Sequence, residues 1–195
     1  MYKRQAYLYF FEKALQDQVA GTTLPWWDWT RAHADGVPPA YRHRRSPDGT
    51  PNPLAGSAIQ RSGRPPGGPA RTRRRPGGRD APPLPTPGEI SALLALDDFL
   101  DFQDQLEGVH NGVHLWVGGT MRDIATAAYD PIFWAHHSMV DRLWRLWQLR
   151  HPTAGVPAAL LGRALPPFPM TVAETIDSNA LGYDYAASTA AATVP

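Results

Sequence analysis

Cysteine is absent from all 195 residues. Disulfides are thereby excluded, and so is a Cys–His thioether link; the absence does not by itself fix the compartment. No run of eighteen apolar residues occurs, so no membrane-spanning helix is expected. Near the N-terminus the chain is amphipathic and aromatic, without the uninterrupted apolar core of a secretory signal. Cytoplasmic and secreted locations both stay open. Aromatic residues are missing from 42–98, and acidic ones are scarce in 42–80, where ten arginines face only Asp48 and Asp80.

Nine basic and sixteen acidic residues remain elsewhere, so a basic stretch accompanies an acidic body in a chain of net charge +1. A run of arginines is one footprint of a nucleic-acid partner. Bases, however, are gripped by interleaved aromatics, and this stretch has none. The expectation is a solvated insertion that offsets the acidic body, with no nucleic-acid partner. Between 42 and 86 proline, glycine and arginine dominate, as in Arg73-Arg74-Arg75-Pro76-Gly77-Gly78. Such a composition cannot bury enough apolar surface to order itself, and it predicts a long mobile loop across the surface.

What the chain does have is length for one domain with a real core and seven tryptophans to fill it. Residues 1–17 read as a helix with Leu8, Phe11 and Leu15 on one face. Thr86-Pro87-Gly88-Glu89 is a helix start, with a hydroxyl cap, proline at the first position and glutamate at the third. It predicts a helix over Pro87–Leu96. Asp97, Asp98, Asp101 and Asp104 follow and read as a solvated face, because hard cations need a shaped oxygen cage.

The chemistry is concentrated in two histidine segments. His110 and His114 are spaced i, i+4, which on a helix puts both imidazoles on one face; Gly118-Gly119 is the stop signal. Two such imidazoles can chelate one transition metal, although chance also leaves pairs like this on amphipathic helices. In the second segment, Asp130-Pro131 is a cap followed by a first-position proline. Apolar residues then recur at Phe133, Trp134, Met139, Val140, Leu143, Trp144 and Trp147, predicting a long helix that ends near His151-Pro152. His137 and Asp141 are again i, i+4. A carboxylate one turn from a ligand histidine can accept its second N–H and set the tautomer. The other reading of His136-His137 is core packing.

Together these segments resemble the second copper-binding half of the tyrosinase family. The likeness covers roughly residues 106–152. It rests on Glu107-Gly108-Val109-His110-Asn111-x-x-His114, on Trp116-Val117-Gly118-Gly119, and on Asp130-Pro131-x-Phe133-Trp134-x-x-His137-x-x-x-Asp141. The resemblance implies a mainly all-α fold, with a four-helix core around a copper site and long irregular loops. It also implies paired (type-3) copper and oxidation of phenols, o-diphenols or o-aminophenols to quinones by dioxygen. By position, the copper ligands would be His110, His114 and His137, with His136 a neighbour and not a ligand. Spacing alone does not tell copper from zinc, since three imidazoles bind both. Asn111, with Glu107 nearby, would hold a water that takes the phenol proton; Glu107 also reads as a plain helix-start carboxylate. Leu115 would lie near the substrate mouth, or simply in the core.

Two upstream stretches resemble the first copper half: Ala6-Tyr7-Leu8-Tyr9-Phe10-Phe11-Glu12 and Leu24-Pro25-Trp26-Trp27-Asp28-Trp29-Thr30. On that reading 1–195 is a single domain. Its parts are the remainder of the first half (1–41), a connecting loop (42–86), the second half (87–152) and a C-terminal connector and tail (153–195). Where the family has His-Arg just before this helix segment, this chain has Arg4-Gln5, and a guanidinium stays protonated and cannot ligate a metal. His33, His43 and His151 do not fit the pattern and read as solvated side chains. The expectation is one copper site here against two in the intact family, in a chain that is N-terminally truncated or degenerate. The alternative is a non-catalytic metal-binding remnant. Neither the oligomeric state nor the particular phenol can be read from these residues.

Overall fold

Helix α5, Pro131–Arg150, is the spine of the molecule in a computed structural model that describes residues 2–31, 36–60, 66–152 and 155–186. It starts where its signals lie. Asp130 accepts from the Ile132 amide at 3.1 Å, Pro131 is at the first position, and the helix stops at His151 before Pro152. Helix α1 is Tyr2–Gln16, α2 is Pro39–Arg42, α3 is Pro87–Leu93, α4 is Phe99–Val117 and α6 is Ala158–Leu161. Among the described residues there is no sheet, only three isolated bridges. The fold is helical, with long irregular connections.

The apolar faces of α4 and α5 meet through Phe99, Phe102, Leu106, Val113 and Val117 on one side and Ile132, Met139, Leu143, Trp144 and Trp147 on the other. Phe102 stacks on Trp147 with centroids 4.7 Å apart. Ile90 and Leu93 of α3, Tyr2 of α1, and Trp27 and Trp29 complete this core. Each fully buried large side chain contributes about 1.5–3 kcal/mol, so removal from water of the residues at the α4–α5 seam dominates the fold.

Three local expectations shift. Helix α3 has the predicted capping box of Thr86 and Glu89 but ends at Leu93, three residues early. The acidic stretch is not only a solvated face, because Asp98 caps α4 by accepting from the amides of Leu100 and Asp101. His151 is not solvated: its Nε2 is 3.0 Å from the Leu94 carbonyl and its Nδ1 3.3 Å from Asp97. His43 is exposed, and His33 lies outside the described residues.

The largest correction concerns 42–86. Its described part is pinned, not loosely draped. Arg74 Nε donates to both carboxylate oxygens of Asp130 at 2.9 Å, and its other nitrogens reach Asp130 again and the carbonyls of Tyr41 and Leu54. Asp130 is fully buried. The neighbouring backbone is tied to the end of α4, with Arg75 N to Val117 O at 2.9 Å, Gly77 N to Trp116 O at 3.0 Å and Thr120 N to Arg73 O at 2.8 Å. Gly118 and Gly119 adopt φ of 68° and 58° and leave room for the Arg75 and Arg73 carbonyls. Composition counts the apolar surface a segment lacks. It does not register that one arginine has a buried carboxylate waiting.

Candidate metal centre

The i, i+4 spacing puts His110 and His114 on the face of α4 that meets α5, and α5 brings His137 across to them. Nε2 of His110 lies 3.0 Å from Nε2 of His137, and Nε2 of His114 lies 3.5 Å from the same atom. Nitrogens about 2.0–2.1 Å from one shared ion in tetrahedral arrangement stand roughly 3.3 Å apart. The three rings therefore present ligand atoms at the spacing of a coordination site.

Each imidazole is turned by an oxygen at its far side. His110 Nδ1 is 3.2 Å from the Glu107 carboxylate, His114 Nδ1 is 2.7 Å from the Met121 carbonyl, and His137 Nδ1 is 2.7 Å from the Phe133 carbonyl. These acceptors hold the proton on Nδ1 and leave the Nε2 lone pair facing inward. Burial lowers the pKa of all three, to about 4 for His114, where the charge of His110 adds to it. Neutral imidazoles are what a metal needs.

His136 belongs to the same cluster. It is fully buried and parallel to His110, with centroids 5.2 Å apart. Among the described residues, neither of its ring nitrogens has a hydrogen-bond partner. One ligand nitrogen from each of the four histidines falls within 4.8 Å of the others. Two partnerless polar atoms at 0% exposure need a reason, and a nearby ion or its water would supply one.

Asp141 does not do what its spacing predicted. It accepts from the phenols of Tyr183 and Tyr185 at 2.8 and 2.6 Å. The Phe133 carbonyl, one turn back along α5, has the role instead. Arg4 donates to both oxygens of Glu107 at 3.3 and 3.2 Å, and its charge is felt at all four imidazoles. Beside the histidines opens a cavity of about 760 Å³ lined by Glu107, Asn111, Leu115, Met121, Phe133 and Phe168 among others.

Residues 5–150 match the family profile described as the common central domain of tyrosinase. The chain belongs to the tyrosinase family. It is 35% identical to a tyrosinase of Streptomyces lincolnensis over 184 residues, 78% of this chain and 64% of that protein. It is 33% identical to hemocyanin 2 of Megathura crenulata over 157 residues, 71% of this chain and 4% of that one. A functional unit of octopus hemocyanin superposes with a TM-score of 0.74 at 26% identity, covering 94% of this chain and 50% of the other. An Aspergillus oryzae pro-tyrosinase shares the fold at a TM-score of 0.67 and 18% identity, over 94% of this chain and 56% of the other. The chain thus spans less than two thirds of the tyrosinase it matches.

The chain is thus a tyrosinase–hemocyanin-type protein, in an oxidoreductase family whose members are type-3 copper proteins. Its donor set fits copper, since imidazole is a good ligand for that metal. No helix among the described residues is long and apolar enough to cross a membrane. Sequence reasoning missed the carbonyls of Met121 and Phe133 and the phenols of Tyr183 and Tyr185. The Phe133 carbonyl, four residues before His137, was within reach of helix geometry. The others carry no local signal.

Proposed function

We propose that this chain holds one copper on His110, His114 and His137 and acts on phenols or o-diphenols, with dioxygen as oxidant and o-quinones as products. What supports this reading most is the inward convergence of three Nε2 atoms whose Nδ1 partners are all oxygens. Copper held there would pass electrons from the aromatic to dioxygen, which would leave as water. The protein's part is binding, orientation and proton handling. Met121 and Phe133 present apolar surface for a ring, and Leu115, 37% exposed, lies at the mouth.

Glu107 and Asn111 both line the cavity. Arg4 and His110 hold the Glu107 pKa down at about 2, the His110 hydrogen bond first among the causes. A carboxylate so engaged is a weak proton acceptor. It is better suited to orient His110 and, with Asn111, to hold a water that takes the phenol proton. Arg4, where the resemblance puts a histidine, supports a single metal, because a guanidinium has no lone pair to offer a second one.

The test is copper per chain after reconstitution, together with the rate of L-DOPA oxidation. One copper per chain, lost in His137→Ala along with the oxidation, is the result expected. Two coppers would overturn the single-site reading. One copper with oxidation no faster than in His137→Ala would instead support the non-catalytic remnant.

A further inference from the structure

A second cleft of about 480 Å³ adjoins the histidine cavity, and Leu115 and Arg122 line both. Leu115 follows His114, and Arg122 follows Met121, whose carbonyl holds His114. The cleft therefore opens one residue from the metal-facing side chains. Arg73, Arg75 and Arg79 also line it.

These four arginines are exposed, and no carboxylate of the described residues stands within ion-pair distance of them. Asp80 and Asp123 also line the cleft, leaving it an excess of positive charge. Nor are the arginines carried on a slack loop. The backbone amide of Arg75 and the carbonyl of Arg73 are bonded to Val117 and Thr120. Guanidinium groups on a pinned backbone beside a cavity wall focus field and bind carboxylates through paired N–H donors.

We propose that the two cavities form one site for an aromatic compound with an anionic tail, such as a carboxylate. The ring lies against Phe133 and Phe168 near the histidines, and the tail lies on Arg75, Arg79 and Arg122. This rests on the reading of the histidine cavity as an aromatic site. A nucleic acid is disfavoured, because 42–98 offers no aromatic side chain for a base to stack on.

The test is calorimetric titration of the full chain, with and without copper, using 3-phenylpropanoate and its neutral counterpart 3-phenylpropan-1-ol, neither of which carries a phenol to oxidise. The acid is expected to bind about tenfold tighter than the alcohol at low ionic strength, and its advantage should shrink as salt is added. The double substitution Arg75→Gln/Arg79→Gln should remove the advantage and leave the alcohol's affinity unchanged. Equal affinity for acid and alcohol in the unsubstituted chain overturns the proposal and leaves the aromatic reading standing. Binding of neither overturns both. Salt-sensitive binding of a single-stranded oligonucleotide without binding of the acid assigns the arginines to a polyanion and also overturns the proposal. Lys3 and Arg4 also line the histidine cavity, so the single substitution Arg79→Gln, at an exposed side chain, backs up the double variant should that fail to fold: a reduced acid advantage is expected, and an unchanged one overturns the proposal.

Discussion

His110 turns its Nδ1 toward the carboxylate of Glu107, 3.2 Å away, while Arg4 holds both oxygens of that carboxylate. The pair lies on one face of α4 at i, i+3, so the helix that presents the imidazole also supplies the group that orients it. A histidine free to rotate would lose both its tautomer preference and its aim.

Removing this support is expected to weaken metal binding without abolishing it. Glu107→Ala should lower copper affinity by about 10- to 100-fold, measured by competition with a chromophoric chelator. Glu107→Gln keeps an oxygen acceptor and should lose less. Equal affinities in Glu107→Ala and the unsubstituted protein would mean that the carboxylate does not orient the ring.

Arg74→Ala is expected to unfold much of the connecting segment. It leaves the fully buried Asp130 carboxylate without its cation, with the Ile132 amide still donating. Breaking a buried pair from one side costs about 3–5 kcal/mol. Urea denaturation reads this directly. A cost near that of an ordinary surface arginine would show that the pair contributes little.

Gly119→Ala should be poorly tolerated. The residue has φ of 58°, and an added methyl would collide with the Arg73 carbonyl. The left-handed conformation alone costs an L-residue about 1–2 kcal/mol, and relieving the collision breaks the Thr120–Arg73 bond as well. A lowered melting temperature with faster amide exchange at Thr120 is the expected signature. Gly155→Ala, which meets nothing within 4 Å, serves as the control.

Alkaline pH should destabilise the fold through its buried phenols. Burial raises Tyr41 from 10.0 to about 12. Tyr183 and Tyr185 are pushed up by burial and then by the Asp141 charge. The folded state keeps protons that the unfolded state releases above about pH 10. This stability is fully present below pH 10 and is lost as pH rises toward 12. Tyrosinate absorbance should therefore show these phenols ionising only within the unfolding transition. Smooth ionisation of all tyrosines ahead of unfolding would contradict the burial.

Much of the fold and part of the candidate site were legible in the chain itself. Asp130-Pro131, Thr86-Pro87-x-Glu89 and Gly118-Gly119 mark helix ends through hydrogen bonds and steric limits that act within four residues, so they can be read locally. The i, i+4 spacing likewise puts His110 and His114 on one face. Tertiary structure alone decided the rest. It brought His137 across from α5 to His110, and it set the His114 Nδ1 against the Met121 carbonyl. It turned Asp141 toward Tyr183 and Tyr185, and it drew Arg74 out of a run of similar arginines to meet Asp130. The His110–His137, Asp141–Tyr183 and Arg74–Asp130 contacts join residues tens of positions apart. Their energies come from mutual burial, and a one-dimensional pattern holds no record of which partner a buried charge or lone pair will meet.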